Sequence, residues 1–403
     1  MPKTIAVIGA LDTKAPDFAF VKDQIEQRGH QALVIDTSVV EDPPFEPDVP
    51  AACVAEAGGS SLGELRRQDD KGSAMEVMTE GIAVVVEQLH ADGNIDAVFS
   101  MGGSAGTAVG TSAMRVLPLG FPKVMVSTVA AGDTGPYVGA KDIVMIPSVT
   151  DVAGVNRISA PIYANAAGAV VGMVETTVPE IEEKPLIAAS MFGNTTAIVG
   201  RCQGIMEERG YEVLIFHCTG TGGQTLESLV ADGYITGVLD ITTTEWADEV
   251  GGGVFSAGPT RLNAAAERGI PQVIVPGCVD MVNFWGPDTV PEKHKDRLFY
   301  HWNPNVTLMR TTPEENAEMG RIFAEKASMS TGPVAFFLPL KGVSMLDAPG
   351  KEFWSPEADG ALYDALKENL RPDIPVIEMD NNINDDEFAD AVADKLLAFL
   401  AAE

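Results

Sequence analysis

Short runs of β-branched and other apolar residues recur along the chain, at 4–8, 32–35, 97–100 and 124–127 in the first half. Between them lie longer segments, 17–28 and 74–90, in which apolar positions return every three or four residues. Nearly continuous apolar strands separated by amphipathic helices predict a parallel sheet with crossover helices on both faces. The second half repeats the rhythm, with strands expected at 186–190, 213–216, 238–241 and 273–275 and helices at 198–209, 225–232 and 261–268. A capped amphipathic helix is expected over 385–400, its apolar side formed by Phe388, Val392, Leu396 and Phe399.

The halves also match in detail. The segment from Gln27-Arg28-Gly29 to Asp36 aligns without a gap with that from Glu208-Arg209-Gly210 to His217. Leu119-Gly120-Phe121-Pro122 likewise parallels Arg268-Gly269-Ile270-Pro271, each a helix end, a glycine and a proline before a buried strand. The expectation is α/β: two doubly wound, Rossmann-like parallel-sheet domains related by internal duplication. Residues 148–175 are rich in Ala, Gly and Asn, and 179–185 have the composition of a linker. The predicted domains are 1–184, the nucleotide-binding one, and 185–403, with an anion nest and a candidate substrate site.

With 45% hydrophobic and 21% charged residues, the 403-residue chain can bury two cores. Its 58 acidic and 27 basic residues give a formal charge of −31, which repels a phosphate backbone and argues against nucleic acid as a partner. No stretch reaches the ~20 apolar residues that cross a bilayer, and Met1-Pro2-Lys3-Thr4 leads into a strand without a cleavage pattern. A cytoplasmic protein with no membrane partner is expected. The cysteines at 53, 202, 218 and 278 have no metal-binding spacing and read as free thiols at core or strand-end positions.

In open parallel sheets, ligands bind beyond the carboxyl ends of the strands, where the strand order reverses. That rule nominates the loop with Gly9, Asp12, Thr13 and Lys14, and the loop with Gly102, Gly103, Ser104, Gly106 and Thr107. Glycines there admit a phosphate to backbone N–H groups, and Lys14 can add a point charge. Neither loop has the P-loop or dinucleotide spacing. Asp36, ending the second strand, is a candidate for ribose hydroxyls. Thr128 and Asp133 follow the fourth strand, Asp133 as a candidate Mg²⁺ ligand beside phosphates. In the second domain, His217 precedes a further anion nest at Thr219, Gly220, Gly222 and Gly223, and Asp240 with Thr242-Thr243-Thr244-Glu245 follows the third strand. Asp280, Arg297 and His301 are candidate catalytic groups that could bind and ionise a small acid.

At these residues the sequence resembles the family of the ATP-binding N-terminal domain of the tomato mosaic virus resistance protein, with its uncharacterised bacterial relatives. The resemblance spans essentially the whole chain and rests on residues 9–14, 101–107, 151–157, 216–223, 242–245, 280–284, 307–311 and 339–344. It implies two α/β domains, ATP bound in the first, and a homodimer. Cys218, Gln224 and Trp302 depart from the family pattern. The TIM-barrel-like domain of longer members is expected to be missing here. Three readings follow: an ATP-binding protein; a metabolic enzyme acting on a small carboxylate or phosphorylated metabolite between the domains; and a non-catalytic interaction module, as in the plant member, where this domain binds the viral replication protein. Residues 261–263 and 165–174 are candidate contacts with a partner subunit.

Overall fold

The computed structural model describes residues 1–68 and 70–402. Two compact units divide it, Met1–Glu180 and Ile181–Glu403.

In the first unit β1 (Thr4–Gly9), α1 (Leu11–Glu26), β2 (Gln31–Asp36), α2 (Ala51–Ala57), α3 (Leu62–Gln68) and α4 (Lys71–Ala91) lead to β3 (Ala97–Gly102). The unit is completed by α5 (Ser104–Arg115), β4 (Lys123–Ser127), α6 (Gly135–Val138), β5 (Val144–Pro147) and α7 (Ser159–Glu175). The five strands are parallel in the order β2-β1-β3-β4-β5. Alternation along β1 assigns the two faces: Ile5 and Val7 pack with α1 and α7, while Ala6 and Ile8 pack with α2, α4 and α5.

The second unit runs β6 (Leu186–Met191), α8 (Thr196–Glu208), β7 (Glu212–His217), α9 (Thr221–Ala231), β8 (Ile235–Thr242), α10 (Thr244–Gly251), α11 (Ala264–Arg268) and β9 (Gln272–Gly277). There follow β10 (Met281–Phe284), β11 (Phe299–Asn303), β12 (Val306–Arg310), α12 (Pro313–Ser328), β13 (Val334–Pro339), α13 (Pro356–Asn369), β14 (Val376–Met379) and α14 (Asp386–Leu400). Six strands form a parallel sheet in the order β14-β13-β9-β8-β6-β7, and β10, β12 and β11 form a separate antiparallel sheet. Both units are thus doubly wound, Rossmann-like α/β sheets. The strands matched in sequence are topological equivalents: β2 and β7 flank the first strand of their sheets, and each follows a glycine in the left-handed region, Gly29 at φ +86° and Gly210 at φ +89°.

Several elements depart from the sequence expectations. The first helix starts at Leu11 rather than residue 17, and its opening turn is broken at Lys14 (φ −128°, ψ 19°), just before Pro16, whose ring and missing N–H disrupt a regular turn. The Ala- and Gly-rich segment is no connector: α7 buries Tyr163, Ala166, Ala167 and Val170 against β1, β3 and β4. Its high Ala content gives a smooth face that packs closely and hides the usual helical periodicity. The helix α14 packs in the second unit with α8. Cys53 is exposed on α2, not in a core or at a strand end, whereas Cys202, Cys218 and Cys278 are buried.

If α7 is a core helix of the first unit, Tyr163→Ala removes a fully buried ring and should cost about 3 kcal/mol or more. Urea unfolding of the full chain would show the first unit's transition moving to lower urea; a connector role predicts no shift.

Candidate functional site

The sheet order of the first unit reverses between β1 and β3, and a cavity of about 550 Å³ lies there. Its walls come from the β1–α1 loop (Gly9, Asp12, Thr13, Lys14), the residues after β2 (Thr37, Val39, Val40) and the start of α5 (Ala105, Gly106). The ends of α3 and α4 add Leu65, Arg66, Asp70, Lys71 and Met75. Sequence reasoning missed these last groups, because they follow a loop with no strand-end register. Their one local signal is Asp70, whose carboxylate caps α4 at Gly72 N–H (3.0 Å) and presents Lys71 in the first turn.

The polar groups around the cavity have different states of engagement. Asp36 does not serve as a ribose acceptor: it is 1% exposed, and its Oδ1 accepts from Leu11 N–H, Ser38 N–H and the Ser38 hydroxyl. Together with Ser38 Oγ, which accepts from Asp12 N–H (2.8 Å), it closes the amino end of α1. The Asp12 carboxylate receives Val40 and Glu41 N–H and pins the loop after β2. Lys14 Nζ donates to Val152 O at 2.5 Å. Arg66 is held by Val39 O and Asp42. Lys71 makes no hydrogen bond or ion pair among the described residues. Thr107 is also not a ligand donor, being fully buried and shared between Gly103 O (2.8 Å) and Ser127 Oγ (2.6 Å).

The amino end of α5 differs from that of α1. Its N-cap is Gly103, which has no side chain to accept a bond, and no internal acceptor meets the amides of Ser104, Ala105 and Gly106 among the described residues. Ser104 is exposed, and Gly102 Cα must pass close to Gly106, where an added Cβ would lie 3.0 Å from Gly106 Cα. Thr128 is exposed and donates its N–H to Gly102 O. Asp133 accepts Gly135 N–H at the surface. Among the described residues no group of three His, Cys, Asp or Glu side chains could hold a metal ion, so a Mg²⁺ here would depend on phosphate oxygens for most of its ligands.

In the second unit the anion nest, which follows β7, is filled by a side chain. The nest at Thr219–Gly223 does form, but it is taken: Glu245 Oε1 accepts Gly220 N–H and Gly223 N–H, each at 2.9 Å. Only glycine fits at 223, where a Cβ would lie 2.0 Å from Glu245 Oε2. Glu245 Oε2 in turn accepts Arg261 Nε (2.8 Å), and the buried guanidinium also binds Asp240 (2.5 Å) and Glu227 (3.1 Å). Burial alone would lower the Arg261 pKa, but Asp240, Glu245 and Glu227 hold it well above its ordinary value. Gly220 and Gly223 therefore hold an internal carboxylate, Thr219 bonds His217 O and Gly222 packs against it, and Arg261 is a core residue rather than a subunit contact. His217 is exposed and stacks on Phe192 with ring centroids 5.4 Å apart.

The three candidate catalytic groups do not converge. Asp280 is fully buried before β10, Arg297 forms a bidentate pair with Glu315 (2.6 and 3.0 Å), and His301 is exposed on β11. The backbone of Asp280 binds Thr311 N–H, just past β12, while His301 pairs with Thr307, four residues back and about 14 Å away at ~3.4 Å per residue. Asp280 instead belongs to a buried group in which Arg310 meets Asp347 (3.6 Å) and Asp359 (2.9 Å). Burial and the neighbouring Asp347 push Asp280 up to about 7 and Asp359 up to about 8. Both acids keep protons in the fold that unfolded aspartates, near 3.8, release. Stability is therefore greatest below about pH 4 as far as this group is concerned, and declines as pH rises through about 7 to 8. Asp359→Asn, which mimics the protonated form, should flatten that decline; urea midpoints of the second unit at about pH 5 and about pH 8.5 test it, and an unchanged difference refutes it.

The chain was compared with known families and structures. The description "Uncharacterised protein family (UPF0261) N-terminal domain" matches residues 3–179, and the C-terminal domain of the same family matches residues 184–400. A UPF0261 protein of Clostridium tetani is 52% identical over 399 residues, covering 98% of this chain and 99% of that one. The ToMV resistance protein Tm-1(GCR237) of Solanum lycopersicum is 37% identical over 417 residues, covering 97% of this chain and 55% of the plant protein. Among solved structures, UDP-N-acetylglucosamine 2-epimerase from Rickettsia bellii is 10% identical with a TM-score of 0.23, covering 100% of this chain and 96% of that one, too distant to bear on function. No helix among the described residues is long and apolar enough to cross a membrane. With family matches across both units and relatives aligned over nearly its full length, the chain belongs to the uncharacterised protein family UPF0261, to which the tomato Tm-1 proteins are related.

Proposed function

We propose that the first unit binds a nucleoside triphosphate, ATP being the ligand that the family resemblance implies, in the cavity at the ends of β1, β2 and β3. The observation that carries this reading is the uncapped amino end of α5 beside a cavity of about 550 Å³, a size within the usual range of ~300–1,000 Å³ for small-molecule sites. Amides without internal acceptors and the positive end of a helix favour an anion there. Lys71, without a hydrogen bond or ion pair among the described residues, adds a cation. Val39, Val40, Leu65 and Met75 give the cavity an apolar side suited to the faces of a base. Lys14 serves the site at one remove, by fixing the loop that starts at Val152. Mg²⁺ would arrive with the phosphates, and Asp133 stays its candidate protein ligand.

Calorimetric titration with ATP and Mg²⁺ tests the proposal. The wild-type chain should bind in the micromolar range. Gly103→Val, which places bulk at the phosphate seat where a Cβ would have only Thr128 Oγ1 at 3.8 Å for a neighbour, should weaken binding about tenfold or more, and so should Lys71→Ala. His301→Ala should leave the affinity within about twofold. Failure of the wild type to bind removes the nucleotide from this cavity.

A further inference from the structure

Two side chains of α1 hold the loop between β5 and α7. Lys14 Nζ donates to Val152 O (2.5 Å), and both carboxylate oxygens of Asp17 accept Gly154 N–H (3.0 Å each). The two tethers differ in setting. Asp17 is buried, and Val152 buries its own side chain in the core shared by α1 and α7. Lys14 is half-buried, lines the cavity of about 550 Å³ and makes no ion pair among the described residues. A single carbonyl thus serves an ammonium that carries three donors. A charge drawn out of water without a counter-ion is costly, and a phosphate oxygen is a stronger acceptor for it than a neutral carbonyl. Beyond Gly154 the loop exposes Val155, Arg157 and Ile158.

Resting on the nucleotide reading, we propose that Lys14 is a latch through which the bound polyphosphate controls this loop. The phosphate takes Lys14 Nζ from Val152 O, leaving Asp17 as the α1 side chain that still holds the loop, which then opens more often. Lys14 has two alternative partners, one on the cavity side and one on the loop side, and exchanging them carries the occupancy of the cavity to the exposed side chains at 155–158. By linkage, a loop held firmly on α1 competes with the nucleotide for the same ammonium.

Hydrogen–deuterium exchange of the full chain, read by mass spectrometry on peptides covering 149–158, tests the latch. ATP and Mg²⁺, at concentrations that saturate the chain in calorimetry, should raise amide exchange in this loop about tenfold, the loss expected for one charge-assisted bond. Exchange in the core of α7, at 163–171, should stay within about twofold. Lys14→Met, which keeps the apolar stem and removes the ammonium, should show the faster loop exchange without any nucleotide. ATP binding with loop exchange unchanged or slowed overturns the latch alone, and so does Lys14→Met exchanging at the wild-type rate. Faster exchange that extends through α7 marks a general loosening and also overturns it. Absence of ATP binding overturns this inference together with the nucleotide reading.

Discussion

A helix that begins at the carboxyl edge of a parallel sheet brings several N–H groups with no partner in its own turns, and something must accept them. This requirement governs the polar architecture of both units. At α1 the acceptors are Asp36 and Ser38. At α9 the acceptor is the carboxylate of Glu245. At α12 Thr312 and Glu315 exchange bonds with each other's backbone. At α5 the cap is a glycine and the role is left to solvent or a ligand.

Placing Glu245 in a nest has consequences for its surroundings. A buried carboxylate needs a counter-charge as well as hydrogen bonds, and Arg261 supplies it, but a guanidinium has five donors in a fixed fork. Asp240, Glu227 and the Thr242 carbonyl take the remaining ones, and Glu227 also accepts the N–H groups of Leu262 and Ala264 at the start of α11. Asp240 then engages Ser190 and Gln272 on the neighbouring strands. One internal anion thus recruits a chain of groups that ties α9, α10, α11 and three strands together. Arg310 does the same on a smaller scale for Asp280, Asp347 and Asp359, with more acids than one cation can neutralise, so the pKa values of Asp280 and Asp359 are raised.

Eight of the eleven parallel strands among the described residues were legible because the apolar runs are short, β-branched and regularly spaced, and because Gly29 and Gly210 recur at matching turns; β5, β13 and β14 were not anticipated. What else escaped was of two kinds. Small-residue helices such as α7 carry little periodic contrast, and the antiparallel strands β10 to β12 alternate too briefly to stand out from a loop. The site was legible only as backbone: the glycine loops were found, but no local pattern tells that Asp36 turns inward, that Thr107 bonds Ser127, or that Glu245 crosses more than twenty residues to fill a nest. A Gly-rich nest reads identically whether its anion is a ligand or a side chain, since both make the same demand on the backbone. The lateral approach of Leu65 and Lys71 is equally invisible, for it depends on where α3 and α4 pack.

The sheet order shared by the two units sharpens that contrast. Two copies of one sheet order create two switch points, and a ligand site at either must keep its helix ends unfilled while the fold around it stays paired. The second unit has Thr242, Thr243, Thr244 and Glu245 all buried beyond β8, so its switch point contributes to cohesion. Neither α5 after β3 nor α10 after β8, the equivalent strand, has a side-chain cap; what sets the first unit apart is the open cavity beside that end, with Lys71 free of hydrogen bonds and ion pairs among the described residues. A glycine cap forgoes only about a few tenths of a kcal/mol relative to Ser, Thr, Asn or Asp, so leaving that helix end to solvent or an anion costs little. The two switch points thus differ in packing: residues 242–245 are buried and joined to the Arg261 ion-pair network in the second unit, whereas an open cavity lies at that place in the first.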